Sequence, residues 1–186
     1  MSGFGIKLRF LRLVALSAFA LLLTPAHGQL TVEITGAGAN RIPVAIAEFG
    51  GEASSARIVT SVVRADLERS GLFRMVDTGG VVMTEVTTPV FGDWKGRGAD
   101  ALAAGSIGAG DNGRQEARFR LYDVNKQTPL GGSAFVTSQA MLRAAGHRIA
   151  DIIYEKLTGE PGVFSTRVAY VVRAGATRYE LHIADA

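Results

Sequence analysis

Residues 43–71 read PVAIAEFGGEASSARIVTSVVRADLERSG, and this stretch decides the fold. Pro43 opens Val44, Ala45, Ile46, Ala47, Glu48 and Phe49, a nearly continuous apolar run that suits an interior strand. Gly50-Gly51 closes it. Ser54 or Ser55 is placed to cap a helix running to Ser70, with Gly71 where a left-handed C-terminal residue belongs. At about 100° per residue, Ile58, Val59, Val62 and Val63 share one helix face. Asp66 falls in the middle of that face. An ionised carboxylate there must be paired or hydrogen-bonded, so Asp66 is either a catalytic acid or a structural anchor. The structural reading is favoured, because the sequence places no second carboxylate or histidine beside it.

Upstream, Leu30, Val32 and Ile34 alternate with Thr31, Glu33 and Thr35, the period of a half-buried strand, and Gly36-Ala37-Gly38 ends it. Further back, Lys7, Arg9 and Arg12 precede an apolar stretch from Leu13 to Leu23 broken only by Ser17. Ala26-His27-Gly28 then offers a small-residue cleavage site. A membrane anchor needs about 20 apolar residues, which this stretch does not reach. Residues 1–28 are therefore read as a cleaved signal peptide, leaving Gln29 as the new terminus and a chain that works outside the cytoplasm.

Downstream, residues 73–76 read as a short strand, and residues 81–98 are poorly periodic, with Trp94 as their anchor. A strand over 101–107, the turn Asp111-Asn112-Gly113 and an alternating strand over 115–122 make a hairpin. A turn at Pro129-Leu130-Gly131-Gly132 leads to another short strand, 133–137. A second helix over 138–157 places Met141, Leu142, Ala145, Ile149, Ile152, Ile153 and Leu157 on one face. His147 lies about 160° from Ile149 and is expected to face solvent. Gly159 ends this helix, and residues 159–162 are the clearest linker in the chain. Beyond it, residues 167–173 and 178–183 read as two strands around Gly175. Two strands alone are marginally stable, so they are expected to begin a second, incomplete domain. The predicted class is α/β of the α+β kind, a mixed sheet with two main helices.

Composition narrows the function. The chain holds 47% hydrophobic and 20% charged residues, a formal charge of +3 and no cysteine. That excludes a disulfide scaffold, a thiolate metal cage and a cysteine nucleophile. The basic excess resides in residues 1–28; without them lysine and arginine fall from 20 to equal the 17 acids. Nucleic acid is not an expected partner. Gly36-Ala37-Gly38 and the glycines at 105, 108 and 110 lead into strands or turns, so neither offers the helix N-terminus that a phosphate loop needs. Gly50-Gly51 does precede a helix but lacks the Lys-Ser/Thr pair. His147 and His182 have no carboxylate or histidine at metal-ligand spacing, so no metal or other cofactor is expected.

Asp66-Leu67-Glu68-Arg69-Ser70-Gly71-Leu72-Phe73, then Trp94 with Gly98-Ala99-Asp100-Ala101 and Gly105, resemble the amino-terminal domain of the TolB family. Arg143-Ala144-Ala145-Gly146-His147, Ile149-Ala150-Asp151 and Tyr154-Glu155-Lys156-Leu157-Thr158-Gly159 are similar to that family's signature, and residues 162–171 continue it. The resemblance implies a non-enzymatic periplasmic protein of the Tol-Pal system, which supports outer-membrane integrity and envelope constriction at division. It implies an anticodon-binding-like domain over residues 29–162 and the first strands of a truncated β-propeller over 163–186. It also implies that the mature terminus, Gln29, Leu30, Thr31, Val32, Glu33, Ile34 and Thr35, engages the inner-membrane protein TolA. The lipoprotein Pal is bound in the family by the propeller, so Pal binding is not expected of the strands present here. Asp66, Gly71, Trp94 and Gly159 are assigned structural roles. The alternative reading is a periplasmic small-ligand-binding or sensor domain, which would need a cleft of convergent polar groups.

Overall fold

The computed structural model describes residues 41–110 and 114–185. The signal segment, the strand expected over 30–35, Gly36-Ala37-Gly38 and the turn at Asp111-Asn112-Gly113 lie outside the described residues.

The apolar run that opened the reading forms two collinear strands, β1 (Ile42–Ile46) and β2 (Glu48–Gly51), interrupted at Ala47. Both pair in parallel with β5 (Ala101–Ala109), β1 at its start and β2 further along. The ladder survives the interruption, since the Ala47 N–H donates to the Ala103 carbonyl at 2.9 Å. An arginine fills the break. Arg64 donates from Nη2 to the Ile46 carbonyl at 2.5 Å and from Nη1 to Glu48 Oε1 at 2.6 Å. β3 (Phe73–Met75) flanks β1 and β4 (Val82–Met83) flanks β2, both in parallel. On the other side, β5, β6 (Gln115–Asp123) and β7 (Thr128–Thr137) form an antiparallel meander. Among the described residues the result is a mixed seven-stranded sheet with β7 at one edge.

Each face of this sheet has its own core, because side chains along a strand alternate between faces. Val44 and Ile46 join Val59, Val63, Leu67, Ile149 and Ile153 under two helices, α1 (Ala53–Arg69) and α3 (Leu142–Thr158). Ala45 and Ala47 face the other way, with Leu102, Ala104 and Tyr122, beneath the short helix α2 (Phe91–Gly96). Trp94 of α2 is buried there, with the Arg97 guanidinium 5.3 Å from its ring centroid. No described helix is long and apolar enough to cross a membrane.

Two local expectations are corrected. The cap of α1 is Glu52, whose carboxylate accepts the Ser54 and Ser55 N–H groups at 3.0 and 2.8 Å. Ser55 turns inward instead, donating to Gln139 and accepting from Gln115. The stretch from Pro129 to Gly132 is not a turn but part of the ten-residue β7, with a register irregularity opposite Leu121 and Tyr122. The chain reverses just before it. There Asp123 accepts the Lys126 N–H at 2.8 Å, and Gln127 takes a left-handed φ of 58°.

After α3 the chain makes a separate two-stranded antiparallel sheet, β8 (Arg167–Arg173) and β9 (Tyr179–Asp185). The segment leading to it is held to α3. Asp151 accepts the Phe164 and Ser165 N–H groups at 2.6 and 3.0 Å, and the Phe164 ring meets Tyr154 edge-on at 5.6 Å.

Candidate functional site

Helix α1 is buried on two sides, by the sheet and by α3, and Asp66 sits on the side that meets α3. The Asp66 carboxylate is 1% exposed. Its Oδ1 accepts from Arg69 Nη2 at 2.5 Å, one turn along the same helix, and its Oδ2 lies 2.6 Å from His147 Nδ1 on α3. An ionised carboxylate only accepts, so this contact requires the imidazole proton on Nδ1. Arg69 is 62% exposed and reaches in from solvent, whereas His147 is 3% exposed. The three groups therefore clasp α1 to α3.

The clasp corrects the expected surface position of His147. The apolar stripe of Leu142, Ala145, Ile149 and Ile153 faces the sheet, as its period predicts. The neighbouring side of α3 faces α1 rather than water. Gly146 makes that approach possible: a Cβ there would fall 2.7 Å from Val62 Cβ and 3.2 Å from the Val59 carbonyl. The sequence carried a signal for it. Ala144-Ala145-Gly146 is a run of small residues beside a histidine, across from a helix with an unmatched buried aspartate.

The other anchors are positioned by backbone geometry and packing. Gly71 follows α1 at φ +76° and Gly159 ends α3 at φ +81°, both in the left-handed region that favours glycine. Trp94 fills the second core. Residues 29–35, the expected partner segment, lie outside the described residues.

An aspartate beside a histidine is also a common acid-base pairing, but chemistry requires that a substrate reach it. Asp66 and His147 are both covered, and the cavities beside β7 and beside α1 are lined by other residues. The N-terminus of α1, where a phosphate would bind, is already filled by Glu52. Hydrogen bonds from Ser55 and Ser54 hold that carboxyl down at about 2, against an ordinary 4.5. Among the described residues, no group of three or more histidine, aspartate or glutamate side chains is arranged to hold a metal. A groove of about 540 Å³ runs beside β7, with Arg114 and Arg148 among its walls. Sequence reasoning missed it, because it is assembled from residue 114, β7, the segment joining β7 to α3, α3 itself and residue 165.

Comparison with known proteins places this arrangement in a family. Residues 30–130 match the family model of the TolB amino-terminal domain. The chain is 59% identical over 177 residues to the Tol-Pal system protein TolB of Dechloromonas aromatica, covering 95% of this chain and 41% of that protein. It is 54% identical over 182 residues to the protein of the same name from Aromatoleum aromaticum, covering 98% and 42%. The crystal structure of TolB from Acinetobacter baumannii superposes with a TM-score of 0.65 at 34% identity, over 78% of this chain and 36% of that one. The chain thus spans about two fifths of the length of the curated relatives it matches. With more than half of its residues inside the family model and the same fold in a solved relative, the chain belongs to the TolB family of the Tol-Pal system.

Proposed function

We propose that this chain is a periplasmic, non-enzymatic binding protein whose mature amino terminus, residues 29–35, joins it to TolA. The observation that carries the reading is the family match, which begins at residue 30 and so takes in all of the segment but Gln29. The alternation of Leu30, Val32 and Ile34 suits a strand that pairs with the edge of a partner sheet. Cleavage before Gln29 would place this strand at a free chain end. The buried position of Asp66 and His147 supports a structural role for this acid-base pair. Through TolA the protein would serve outer-membrane integrity and envelope constriction at division.

In the same reading, residues 29–162 are the binding domain, and residues 163–186 are the start of a β-propeller. Pal is assigned to the propeller of longer relatives and not to this portion. Two measurements test the proposal. Mass spectrometry of the periplasmic protein is expected to give a chain starting at Gln29; an intact Met1 terminus retained in the inner membrane contradicts export. Deletion of residues 29–35 is expected to abolish calorimetric binding to the carboxy-terminal domain of TolA while circular dichroism is unchanged. Undiminished affinity of the deleted chain overturns the assignment.

A further inference from the structure

We propose that the groove between the outer edge of β7 and the first half of α3 binds an extended acidic peptide segment of a partner protein. Among the described residues strand β7 is paired only by β6, which leaves alternate N–H and carbonyl groups along its outer edge for an added strand. Phe135, Met141 and Ala144 give the groove an apolar floor, and Arg114 and Arg148 stand in its walls. No acidic residue lines it. Neither arginine has a carboxylate partner among the described residues, whereas Arg64, Arg69 and Arg118 each do. Arg148 is fixed over the floor, its guanidinium 4.7 Å from the Phe135 ring centroid. Val136 and Met141 are 59% and 46% exposed.

Two further observations define the occupant. The Thr137 hydroxyl, in the same wall, is buried without a hydrogen-bond partner among the described residues, and an acceptor carried by a ligand is what it lacks. A second copy of this chain is a poor occupant, because two β7 edges meeting about a twofold axis would bring like-charged arginines onto one face. A strand with valine and glutamate alternating along one side meets all the requirements together: main-chain pairing with β7, apolar contact with Phe135 and Met141, and carboxylates for Arg114 and Arg148. None of the lining residues belongs to residues 29–35, and deletion of that segment is expected to leave the affinity of the groove unchanged.

The test titrates the isotopically labelled full chain with a blocked synthetic peptide of about nine residues, threonine alternating with valine and glutamate. The expected result is saturable shifts of the residue 133–138 amides. A version with glutamine for glutamate is expected to bind at least about tenfold more weakly, and Arg148→Glu or Arg114→Glu to weaken the acidic peptide about tenfold. Both arginines are exposed, and the double variant is expected to recover binding to a lysine version of the peptide, which a misfolded protein would not. Equal affinity for the glutamate and glutamine peptides overturns the proposal. So does the absence of β7 shifts at about 1 mM peptide, a very weak limit of binding. Shifts of the same amides by decanoate, with none by the peptide, would also overturn it and mark a small-amphiphile site.

Discussion

Strands β6 and β8 are built from similar material and have opposite fates. In β6, Ala117, Phe119 and Leu121 alternate with charged residues and are almost wholly buried. In β8, Val168, Tyr170 and Val172 alternate with Arg167, Ala169, Val171 and Arg173, and every residue is exposed. The difference lies in what stands above each strand. Beneath α1 and α3, Phe119 and Leu121 each gain the roughly 1.5–3 kcal/mol that burial of a large apolar group offers. Among the described residues β8 and β9 pair only with each other, and Leu181 and Ile183 remain 70% and 64% exposed. Alternation therefore specifies a strand and its register. Burial is conferred by the covering layer.

The hardest blow to this contrast would fall on the covering layer. Asp66→Ala leaves His147 buried opposite a methyl group and is expected to cost about 3–5 kcal/mol, the range for breaking a buried pair. Denaturant unfolding of the α/β part measures it, while amide shifts of residues 167–184 stay in place. Unchanged stability would mean that the helices need no polar clasp.

A somewhat smaller loss is expected from Gly146→Ala. Helix propensity alone favours alanine by about 1 kcal/mol. The new methyl, however, meets Val62 and the Val59 carbonyl in a closely packed interface, where overpacking costs about 1–3 kcal/mol. A fall in melting temperature shows that packing wins; a rise shows that the two helices can part.

The boundary between the regions can be sharpened by proteolysis. The tether through Asp151 is expected to protect residues 159–165, so that limited digestion of the native protein cuts beyond Thr166 and leaves a resistant fragment ending there. Asp151→Ala removes the acceptor for two N–H groups and is expected to move cleavage into residues 159–162, about tenfold faster, in keeping with the loss of a charge-assisted hydrogen bond. Identical fragments and rates would place the boundary elsewhere.

The smallest effect is expected at Glu52. Its carboxyl is held near 2 in the folded chain against an ordinary 4.5, so the folded state favours the ionised form. That contribution is fully present above about 4.5 and disappears as pH falls through about 2. Glu52→Gln is therefore expected to lower the melting temperature slightly at neutral pH, and the gap from the parent chain is expected to close across this window. A gap independent of pH would show that the cap works without its charge.

The sequence made regular elements legible wherever the period was strong. α1, α3, β5 and β6 follow their apolar spacing closely, and Gly71 and Gly159 mark the helix ends. What it obscured depended on competition between partners. Ser55 was an equally good cap by residue type, but tertiary contacts with Gln115 and Gln139 drew it inward and left Glu52 to cap. Pro129 and the two glycines after Leu130 carried a stronger turn signal than Val124 to Gln127. The Asp123 side chain nevertheless closed the earlier turn, and the glycines were absorbed into β7. His147 was misplaced because a single apolar stripe defines only one buried side, whereas α3 has a second side against α1. The groove beside β7 was not legible, since no local pattern brings Arg114, Phe135 and Arg148 together.

Asp151 also sets where a mechanical load would enter the fold. Its carboxylate holds the chain at Phe164 and Ser165, about two helical turns before the end of α3. Tension applied beyond residue 165 is thus delivered to the middle of the helix, and the last two turns are bypassed as long as those two hydrogen bonds hold. The point of entry is one turn from His147. A pull on the β8–β9 hairpin would shear α3 lengthwise against α1 at their buried clasp, a direction in which interlocked side chains resist together, instead of peeling the helix from its frayed end.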